Sequence, residues 1–504
     1  MDLTSRVADA VAKPADHDEF DAPAALVELL GGIGLSPADG GGRVDFLGAD
    51  PVVPSTLRLG AASSLALAAK SVAVAALWRD RGGAGQDIEV DLRATPHRLC
   101  PFYDRRWELL NGYPLGSGNA SNALGFNFYR TADDRWMMPL NPYPKIKIAA
   151  QRLLGVPEDD AAVAAAIGRW SGRELEAAGV EAGCVMPMLR SAPELLAEPH
   201  YREVLADLPL IEVTRIGDSE PEPLPAPSPG DALPLAGVRA LGMGHVIAGA
   251  GLGRALALHG ADVLNLWRPM EVEHDITYAT ANVGTRSTRL DPFTGPGPER
   301  LRALLAGSDV FYANRRPGYL DRVGLSAAEA AAVRPGIIHA TASLNGPTGP
   351  WSDMLGFDQT AGSLVGMMNL EGGLGSAGSS AGERPALPPI LVVNDYIVSW
   401  LLAAGVVEAL RRRAVHGGSY RVHVSLTRAA LWILSLGVFD RGYAHATAGT
   451  GERHAYHDPE VFTADTPLGH YQGVTEQIRM SVTPGRYDPV LVARGSSAAE
   501  WQPR

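Results

Sequence analysis

The chain has 504 residues, more than one hydrophobic core usually holds, so its length predicts at least two domains. Apolar residues make up 46% and charged residues 20% of the sequence, a composition typical of globular proteins. The formal net charge of −12 argues against a general affinity for nucleic acid or for an anionic membrane surface, because both partners need a basic surface.

Cysteine usage and hydropathy predict a soluble, cytoplasmic protein. Cys100 and Cys184 are the only cysteines and lie far apart, which excludes a disulfide framework and favours a reducing compartment. Residues 1–21 lack the apolar core of a signal peptide. The most apolar helical segment, residues 65–77, carries Lys70 and is predicted to be too short to span a bilayer. The 13 histidines show no metal-ligand spacing, so we expect no metal cofactor.

Helical patterns dominate the part of the chain before residue 218. The patterns predict helices at 65–78, 161–169 and 172–178, and short strands at 87–92 and 135–139. Residues 218–231 (DSEPEPLPAPSPGD) follow, and their alternating prolines predict an extended connector between units. A proline-rich surface loop inside one domain is the alternative. We therefore predict three segments, 1–217, 218–231 and 232–504.

After the connector the pattern changes to that of a parallel sheet. A strand at 237–241, a glycine-rich turn at 242–253, a helix reaching residue 259 and a strand at 262–267 form a βαβ unit. The pattern continues with strands at 310–312 and 337–340 and helices at 300–305 and 327–332. This succession predicts a doubly wound α/β fold.

The sequence also contains an internal echo. A helix ending at Leu77 is followed by RGGAGQDIEVDL (81–92), and a helix ending at Leu410 is followed by HGGSYRVHVSL (416–426). Both segments are predicted as helix, glycine-containing turn and alternating strand. The shared order favours a partial tandem duplication over coincidence.

The glycine-rich turn does not have the spacing of a nicotinamide site. Its second strand ends in Trp267 and Arg268, where such a site needs an acid for the ribose hydroxyls. An arginine there suits a phosphate group, and Arg286, Arg315 and Arg316 follow at what we predict to be similar strand ends. These arginines could converge on one anionic ligand. The alternatives are a solvated arginine surface, and glycines that merely allow close packing of helix on sheet.

Asp395 is the candidate catalytic group. It follows the apolar run ILVV (390–393), predicted as a strand or a buried segment, and it precedes a largely apolar helix at 396–410. An aspartate in this position is most often an N-cap. The alternative is a nucleophilic carboxylate, ionised with the help of the helix N-terminus and stripped of water by its apolar surroundings.

Five segments in order resemble the class III CoA-transferases, the family of formyl-CoA transferase, carnitine CoA-transferase and α-methylacyl-CoA racemase. They are PLAGVRALGMGHVIAGAGLGRALALHGADVLNLWRP (234–269), NVGTRSTRLD (282–291), DVFYANRRPGYLDRVGLS (309–326), SLNGPTGPWSDMLGFDQTAGSLVG (343–366) and PPILVVNDYIVSWLLAAGVVEAL (388–410). The resemblance implies an α/β fold with a Rossmann-like open parallel sheet domain, a smaller α+β domain and an interlocked homodimer. It also implies coenzyme A as part of an acyl-CoA substrate, and a carboxylic acid as the second substrate.

By this resemblance, Asp395 falls on the aspartate that forms an acyl-aspartyl anhydride and then an aspartyl-CoA thioester. Backbone amides of the glycine-rich segments are expected to stabilise the oxyanions. Leu355 and Phe357 would flank the thioester. The positions that line the CoA site fall on His245, Val246, Ala248, Arg268, Leu290, Asp291, Asn314, Arg315 and Arg322.

One departure from the family pattern separates two possible reactions. The racemases carry a histidine in a Gly-His-Asp segment, and here the segment is Gly356-Phe357-Asp358. Without that histidine a two-base proton transfer lacks a partner, so the sequence favours a CoA-transferase over an acyl-CoA racemase or isomerase.

The first half resembles the same family from its middle onward, in residues 60–92 and 176–200. At the position equivalent to Asp395 it has Ala62, so we predict that 1–217 is a truncated, catalytically degenerate copy and that 232–504 holds the CoA-binding core. A non-catalytic CoA-binding or scaffold subunit is therefore a further alternative. An NADP-dependent reductase is disfavoured by the glycine spacing.

Overall fold

The computed structural model describes residues 2–116, 123–226, 233–374 and 383–503. The α-helices are α1 (Leu3–Ala12), α2 (Ala22–Gly31), α3 (Leu59–Asp80), α4 (Pro144–Leu154), α5 (Asp160–Ile167), α6 (Gly172–Ala182), α7 (Ala192–Ala197), α8 (Ala250–Leu258), α9 (Asp275–Ala281), α10 (Gly297–Ala306), α11 (Tyr319–Arg322), α12 (Ala327–Val333), α13 (Asp358–Val365), α14 (Met367–Gly372), α15 (Asp395–His416), α16 (Leu426–Ser435) and α17 (Arg441–Thr447).

The strands are β1 (Val44–Leu47), β2 (Ile88–Asp91), β3 (Leu109–Leu110), β4 (Tyr113–Pro114), β5 (Tyr129–Arg130), β6 (Trp136–Met137), β7 (Glu212–Gly217), β8 (Arg239–Met243), β9 (Asp262–Trp267), β10 (Arg286–Arg289), β11 (Val310–Ala313), β12 (Ile338–Ser343), β13 (Ser419–Ser425), β14 (Val461–Thr466), β15 (Gly469–Val474) and β16 (Ile478–Met480). Short 3₁₀ turns lie at Pro37–Gly40 and Thr95–Arg98, and a π-helical turn at Tyr201–Leu205.

The largest sheet has seven strands in the order β10-β9-β8-β11-β12-β13-β7. The first six are parallel, and in chain order they give the 3-2-1-4-5-6 arrangement of a doubly wound Rossmann sheet. Every residue of β11 is buried, as expected for a parallel strand covered on both faces. The predicted α/β fold class is confirmed. The strands predicted at 237–241, 262–267, 310–312 and 337–340 are β8, β9, β11 and β12, and the strand predicted within 416–426 is β13.

The run at 390–393 is buried in large part but forms no strand, so of its two predicted forms the buried segment is correct.

Strands from both sides of the predicted connector share sheets. The edge strand β7 precedes the connector and pairs antiparallel with β13, which follows it. Two smaller sheets, β1-β2-β16 and β14-β15-β3-β4, also join early and late strands. Residues 218–226 run without helix or strand, and the rest of the predicted connector, 227–231, lies outside the described residues. The boundary at 218–231 therefore does not divide two separate cores.

Helices α3 and α15 are each 22 residues long and pack against each other within the largest hydrophobic cluster. Leu65 of α3 and Leu401 of α15 are both fully buried there. Each helix is apolar on most of its faces, which is the pattern of a helix surrounded by protein. The two members of the sequence echo are thus packing partners, one from each predicted segment.

The prediction that the first of these helices is too short to span a bilayer was wrong. Helix α3 is long and apolar enough to cross a membrane by length and composition, but its most apolar stretch is entirely buried inside the protein. The ammonium group of Lys70 is buried with it, 2.9 Å from the carboxylate of Glu476. In this fold α3 is a core helix.

A smaller α+β unit lies within residues 123–188. Its separate apolar cluster joins the hairpin of β5 and β6 to helices α4, α5 and α6. Helices α5 and α6 and strand β6 correspond to segments that the sequence pattern predicts. This unit lies before the Rossmann strands in the chain, and its first helix begins beside the candidate active site.

Candidate active site

The Rossmann sheet creates a crevice where neighbouring strands run to opposite sides. Strand β8 is flanked by β9 and β11, and the connections from β8 and β11 lead away in opposite directions. Ligands of doubly wound folds bind in this crevice, beyond the carboxyl ends of the strands. The residues that follow these two strand ends include His245 and Asn314.

A cavity of about 650 Å³, which we call the switch-point cavity, occupies this crevice. Eight of the twelve site residues predicted from sequence line it. They are His245, Val246, Ala248, Asn314, Arg315, Leu355, Phe357 and Asp395.

His245 and Asn314 hold the two loops together. The backbone N–H of His245 donates to Asn314 Oδ1 at 2.8 Å, and Asn314 Nδ2 donates to the His245 carbonyl at 3.0 Å. A Cβ at Gly249 would collide with the side-chain amide of Asn314. The glycine is therefore required for this contact, which fixes the shape of the crevice.

Other glycines of the same turn serve packing, as the alternative interpretation expects. A Cβ at Gly242 or Gly253 would collide with Tyr312, and one at Gly251 would lie 2.5 Å from Ser399 Oγ of α15. These close approaches bring α8 onto the sheet and α15 onto α8.

The backbone amides of this turn are not free, which contradicts part of the prediction about oxyanions. Gly244 donates its N–H to Asn265 Oδ1 at 3.0 Å, His245 donates to Asn314, and Val246 donates to Glu273 Oε2 at 2.8 Å. Each amide already has a strong acceptor within the protein. These three N–H groups therefore cannot form the oxyanion site that the sequence pattern predicts.

Arg315 is held in the cavity wall by Glu271. Its guanidinium donates to the Glu271 carboxylate and to the Met243 carbonyl, the latter at 2.9 Å. His245 Nε2 lies 3.0 Å from the same carboxylate. Burial opposes ionisation of Glu271, but the adjacent His245 ring and the charge of Arg315 hold its pKa well below the usual value. The Glu271 carboxylate is thus an anionic group held next to Arg315 and His245.

The remaining four predicted residues lie outside the cavity lining. Arg268 stacks on the ring of Phe293 at 5.1 Å, and Arg322 stacks on Tyr319 at 5.7 Å. The two rings meet edge to face at 5.9 Å. Arg268 and Arg322 therefore lie on the same side of the site as Arg315.

Asp291 and Leu290 have local roles instead. Asp291 accepts hydrogen bonds from Phe293 N and Thr294 Oγ1 in its own turn. Leu290 packs against an apolar cluster on the sheet.

The expectation that Arg286 joins the other arginines was wrong. Arg286 is the first residue of β10, so it lies at the amino end of the sheet, opposite the cavity. Its guanidinium pairs with both oxygens of Asp262, at 2.8 and 2.9 Å. Arg316, by contrast, lines the switch-point cavity next to Arg315.

Asp395 does not cap α15, so the N-cap alternative was wrong. It is the first residue of the helix after the N-cap residue Asn394, and its side chain is 5% exposed. The helix start is bound instead by Asp358 of α13. Asp358 Oδ2 accepts the backbone N–H groups of Val393, Asn394 and Asp395, at 3.1, 2.5 and 2.9 Å.

The two carboxyl groups influence each other. Burial raises the pKa of Asp358 to about 6, against the opposing effect of the backbone hydrogen bonds. Burial first, and then the charge of Asp358, raise the pKa of Asp395 well above its usual value. Once ionised, Asp395 is a poorly solvated carboxylate with few partners, which is the condition for nucleophilic reactivity.

A second cavity of about 480 Å³, which we call the apolar cavity, meets the first at Asp395. Four residues line both cavities, namely Tyr143, Val246, Phe357 and Asp395. Tyr143 and Phe357 are roughly parallel, with ring centroids 6.0 Å apart. Phe357 carries no titratable group, so it cannot act as a base at this position.

Tyr143, Glu273 and Asp358 belong to the site but are absent from the residues predicted by sequence. Tyr143 Oη donates to Glu273 Oε1 at 2.5 Å, and the other oxygen of Glu273 accepts the N–H of Val246. This chain of contacts connects the first half of the protein to the glycine-rich turn. The sequence carries a signal for Asp358 alone, because it adjoins Phe357 in the Gly-Phe-Asp segment.

Residues 235–469 match the family model described as CoA-transferase family III. This segment of the chain is therefore similar to CoA-transferase family III. An acetyl-coenzyme A transferase of Hypoxylon pulicicidum is 27% identical over 373 residues, covering 70% of this chain and 62% of that protein. The alpha subunit of a succinyl-CoA–L-malate CoA-transferase of Chloroflexus aurantiacus is 30% identical over 217 residues, covering 40% of this chain and 49% of that subunit.

The chain therefore spans 62% and 49% of the lengths of these two relatives. A CAIB/BAIF family protein from Brucella suis, of known structure, is 22% identical with a TM-score of 0.35, covering 48% of this chain and 65% of that chain.

The family III segment contains only part of the candidate site. It includes Asp395, Asp358 and the loops of the switch-point cavity, whereas Tyr143 and the apolar residues between 102 and 142 lie before it. Within the described ranges, no group of three or more His, Cys, Asp or Glu side chains is arranged to hold a metal ion.

Proposed function

We propose that the protein is a class III CoA-transferase that moves CoA between carboxylic acids, with Asp395 as covalent nucleophile. The observation that carries the proposal is the position of Asp395, a buried carboxyl group at the junction of two cavities. A thioester carbonyl at this junction would place its CoA portion in the switch-point cavity and its acyl portion in the apolar cavity. The relatives named as CoA-transferases support the same reaction.

The reaction proceeds through two types of covalent intermediate on Asp395, an anhydride and a thioester. The carboxylate attacks the donor thioester carbonyl and expels the CoA thiolate, leaving an acyl-aspartyl anhydride. The thiolate then attacks the aspartyl carbonyl, which releases the donor acid and forms an aspartyl-CoA thioester. The acceptor carboxylate repeats these two steps in reverse, so that acceptor acyl-CoA leaves and the Asp395 carboxylate is restored.

The cavity residues supply binding and electrostatics. We assign the phosphate groups of CoA to the arginine side of the switch-point cavity, where Arg315 and Arg316 line the wall and Arg268 and Arg322 lie beyond Tyr319. Guanidinium groups suit phosphates because they offer planar pairs of donors. Asp358 binds the first amides of α15, so it positions Asp395 without taking part in bond formation.

Trapping of the covalent intermediate tests the proposal. We expect incubation with an acyl-CoA and hydroxylamine to leave a hydroxamate on Asp395, detected by peptide mass spectrometry. The variant Asp395→Ala should lose both the adduct and all transfer activity. The matched control is Asp465→Ala, since the Asp465 side chain is 95% exposed and lines neither cavity. Unchanged transfer by Asp395→Ala would refute the assignment.

The same experiment separates the two other functions that the sequence leaves open. A racemase or isomerase would give no hydroxamate and would exchange the α-deuterium of an acyl-CoA. A non-catalytic CoA-binding subunit would bind CoA yet show neither reaction. Neither alternative has a specific structural observation in its favour, because Phe357 replaces the second base and Asp395 lies between two cavities.

The proposal also covers how the chain arose and how it assembles. We propose a tandem duplication, supported by α3 and α15, which have equal length and a similar start. Asp50 accepts the N–H groups of Gly60 and Ala61 at the start of α3, much as Asp358 does for α15, but no carboxylate equivalent to Asp395 follows. A homodimer and a cytoplasmic location stay predictions.

A further inference from the structure

The apolar cavity is built largely by the first half of the chain. Six of its lining residues are Phe102, Leu115, Leu124, Phe126, Leu140 and Pro142, all before the family III segment. Leu124 and Leu140 are only 1% and 3% exposed, so this part of the cavity wall is tightly packed. The segment that lacks a nucleophile of its own thus forms one side of the pocket next to Asp395.

The opposite side of this cavity is also apolar. It comes from Ile247 at the glycine-rich turn, Ile276 of α9 and the Leu391–Val392 pair before α15. Together with the residues of the first half they line the cavity next to the Asp395 carboxyl group.

Three polar side chains of the lining are engaged with other protein groups, and Arg105 and His274 line the cavity as well. Lys147 pairs with Glu158 at 3.0 Å, and Thr277 donates to Glu273 at 2.7 Å. Gln359 donates its amide N–H to the Leu391 carbonyl at 2.8 Å. A hydroxyl or a second carboxylate held against the apolar part of the lining would find few partners there and would remain desolvated at a cost.

We propose that this cavity binds the acyl group and selects a bulky apolar carboxylic acid, such as an aromatic or medium-chain acid. The inference rests on the proposed transferase function and deepens it. The relatives are named for acetyl, succinyl and malate groups, which are short or carry additional polar groups. A cavity of about 480 Å³ lined mainly by apolar side chains favours a larger apolar group, because such a group removes more apolar surface from water.

In this proposal, the first half of the chain determines which acyl groups can reach Asp395. Tyr143 joins this half to the active site through its hydrogen bond to Glu273. The early segment thus acts as a specificity element for the nucleophile of the later segment.

The first test compares four thioesters on the full-length protein: acetyl-CoA, succinyl-CoA, octanoyl-CoA and phenylacetyl-CoA. The readout is the second-order rate constant for hydroxamate formation on Asp395, which ends turnover and is followed by mass spectrometry of the modified peptide. We expect octanoyl-CoA or phenylacetyl-CoA to exceed both small thioesters by at least about tenfold, since single methylene groups in apolar pockets already discriminate by that factor.

The second test narrows the cavity with Leu115→Trp, because Leu115 is only partly buried and a larger side chain can be accommodated. We expect the ratio of the trapping rate constant for octanoyl-CoA to that for acetyl-CoA to fall about tenfold. Leu115→Asn, which keeps the branched side-chain shape but makes the wall polar, should lower the same ratio and replaces the first variant if that one does not fold. The matched control Leu468→Trp changes an exposed leucine outside both cavities and should leave the ratio unchanged.

The outcomes distinguish the two levels of the proposal. An adduct on Asp395 with small thioesters that are equal to or better than the bulky ones would overturn the assignment of substrate class and leave the transferase function intact. Absence of an adduct on Asp395 with all four thioesters would overturn the transferase function itself. Unchanged ratios in both Leu115 variants would show that the cavity does not hold the acyl group.

Discussion

Asp358 Oδ2 accepts the backbone N–H of Asp395 at 2.9 Å, while the charge of Asp358 raises the pKa of the Asp395 carboxyl group. One carboxylate therefore fixes the position of the other and also opposes its ionisation. The arrangement places a carboxyl group of raised pKa at the start of a helix, between a polar and an apolar cavity. The strength of the interaction between the two carboxyl groups can be measured through the pH dependence of the reaction.

We predict that Asp358→Asn shifts the acidic limb of the kcat/KM profile to lower pH. The nucleophile must be ionised, so activity should rise with pH through the pKa of Asp395. Removing the neighbouring charge lowers that pKa, and we expect a shift of about one pH unit or more. Asparagine keeps one oxygen to accept the helix amides, so the fold should persist. A limb that stays in place would contradict the coupling between the two carboxyl groups.

We predict that Asp395→Asn stabilises the protein at neutral pH. The pKa of Asp395 is raised in the folded state, so the folded protein disfavours the ionised carboxylate. The stability of the wild type therefore falls as pH rises above the unfolded pKa of 3.8. The difference in free energy of unfolding between the variant and the wild type should therefore be smallest near pH 3 and reach at least ~1 kcal/mol at pH 7. Chemical denaturation at several pH values measures it.

The control for this measurement is Asp465→Asn, at an exposed carboxylate. It should show no comparable gain with rising pH. A gain for Asp395→Asn that is independent of pH would point to improved packing and not to a removed carboxylate.

We predict that two arginines at opposite ends of the sheet respond differently to the same substitution. Arg315→Lys should weaken CoA binding about tenfold, because lysine cannot reproduce the planar pair of donors that arginine offers to phosphate. Arg286→Lys should leave CoA affinity unchanged, since Arg286 pairs with Asp262 away from the cavity. Titration calorimetry with CoA measures both. Equal losses would show that the phosphate site is not at Arg315.

The elements of the Rossmann sheet could be predicted because their signals are local. The six-residue run Asp262–Trp267 is apolar enough to mark a buried strand, and a glycine-rich turn follows the first strand of the sheet. Asp395 could be found for the same reason, from the motif around it. Arg286 was misplaced because a short strand begins at this residue, and the sequence pattern did not resolve which end of the strand it occupied.

Long-range contacts account for what the sequence did not predict. Tyr143 reaches the site through Glu273, 130 positions later, and no local pattern encodes such a contact. Asp358 binds the start of a helix 37 positions away, so its role becomes visible only when the two segments are brought together. The domain boundary was misjudged for a related reason, because proline content indicates an extended chain but not whether its flanks share a core.

The shared core leads to the last prediction, that the two predicted segments do not fold alone. Separately expressed fragments 1–226 and 233–504 would expose the buried faces of α3 and α15, respectively, and β13 would lose its edge partner β7. We expect each fragment to aggregate, because large exposed apolar surfaces drive association.

Co-expression should give a soluble complex that regains the hydroxamate on Asp395. The full-length chain should unfold in one cooperative transition, monitored by circular dichroism. Two separate transitions, or a soluble and active fragment 233–504, would contradict the shared core. The second result would also remove the first half from the active site, since Tyr143 and the early wall of the apolar cavity would then be dispensable.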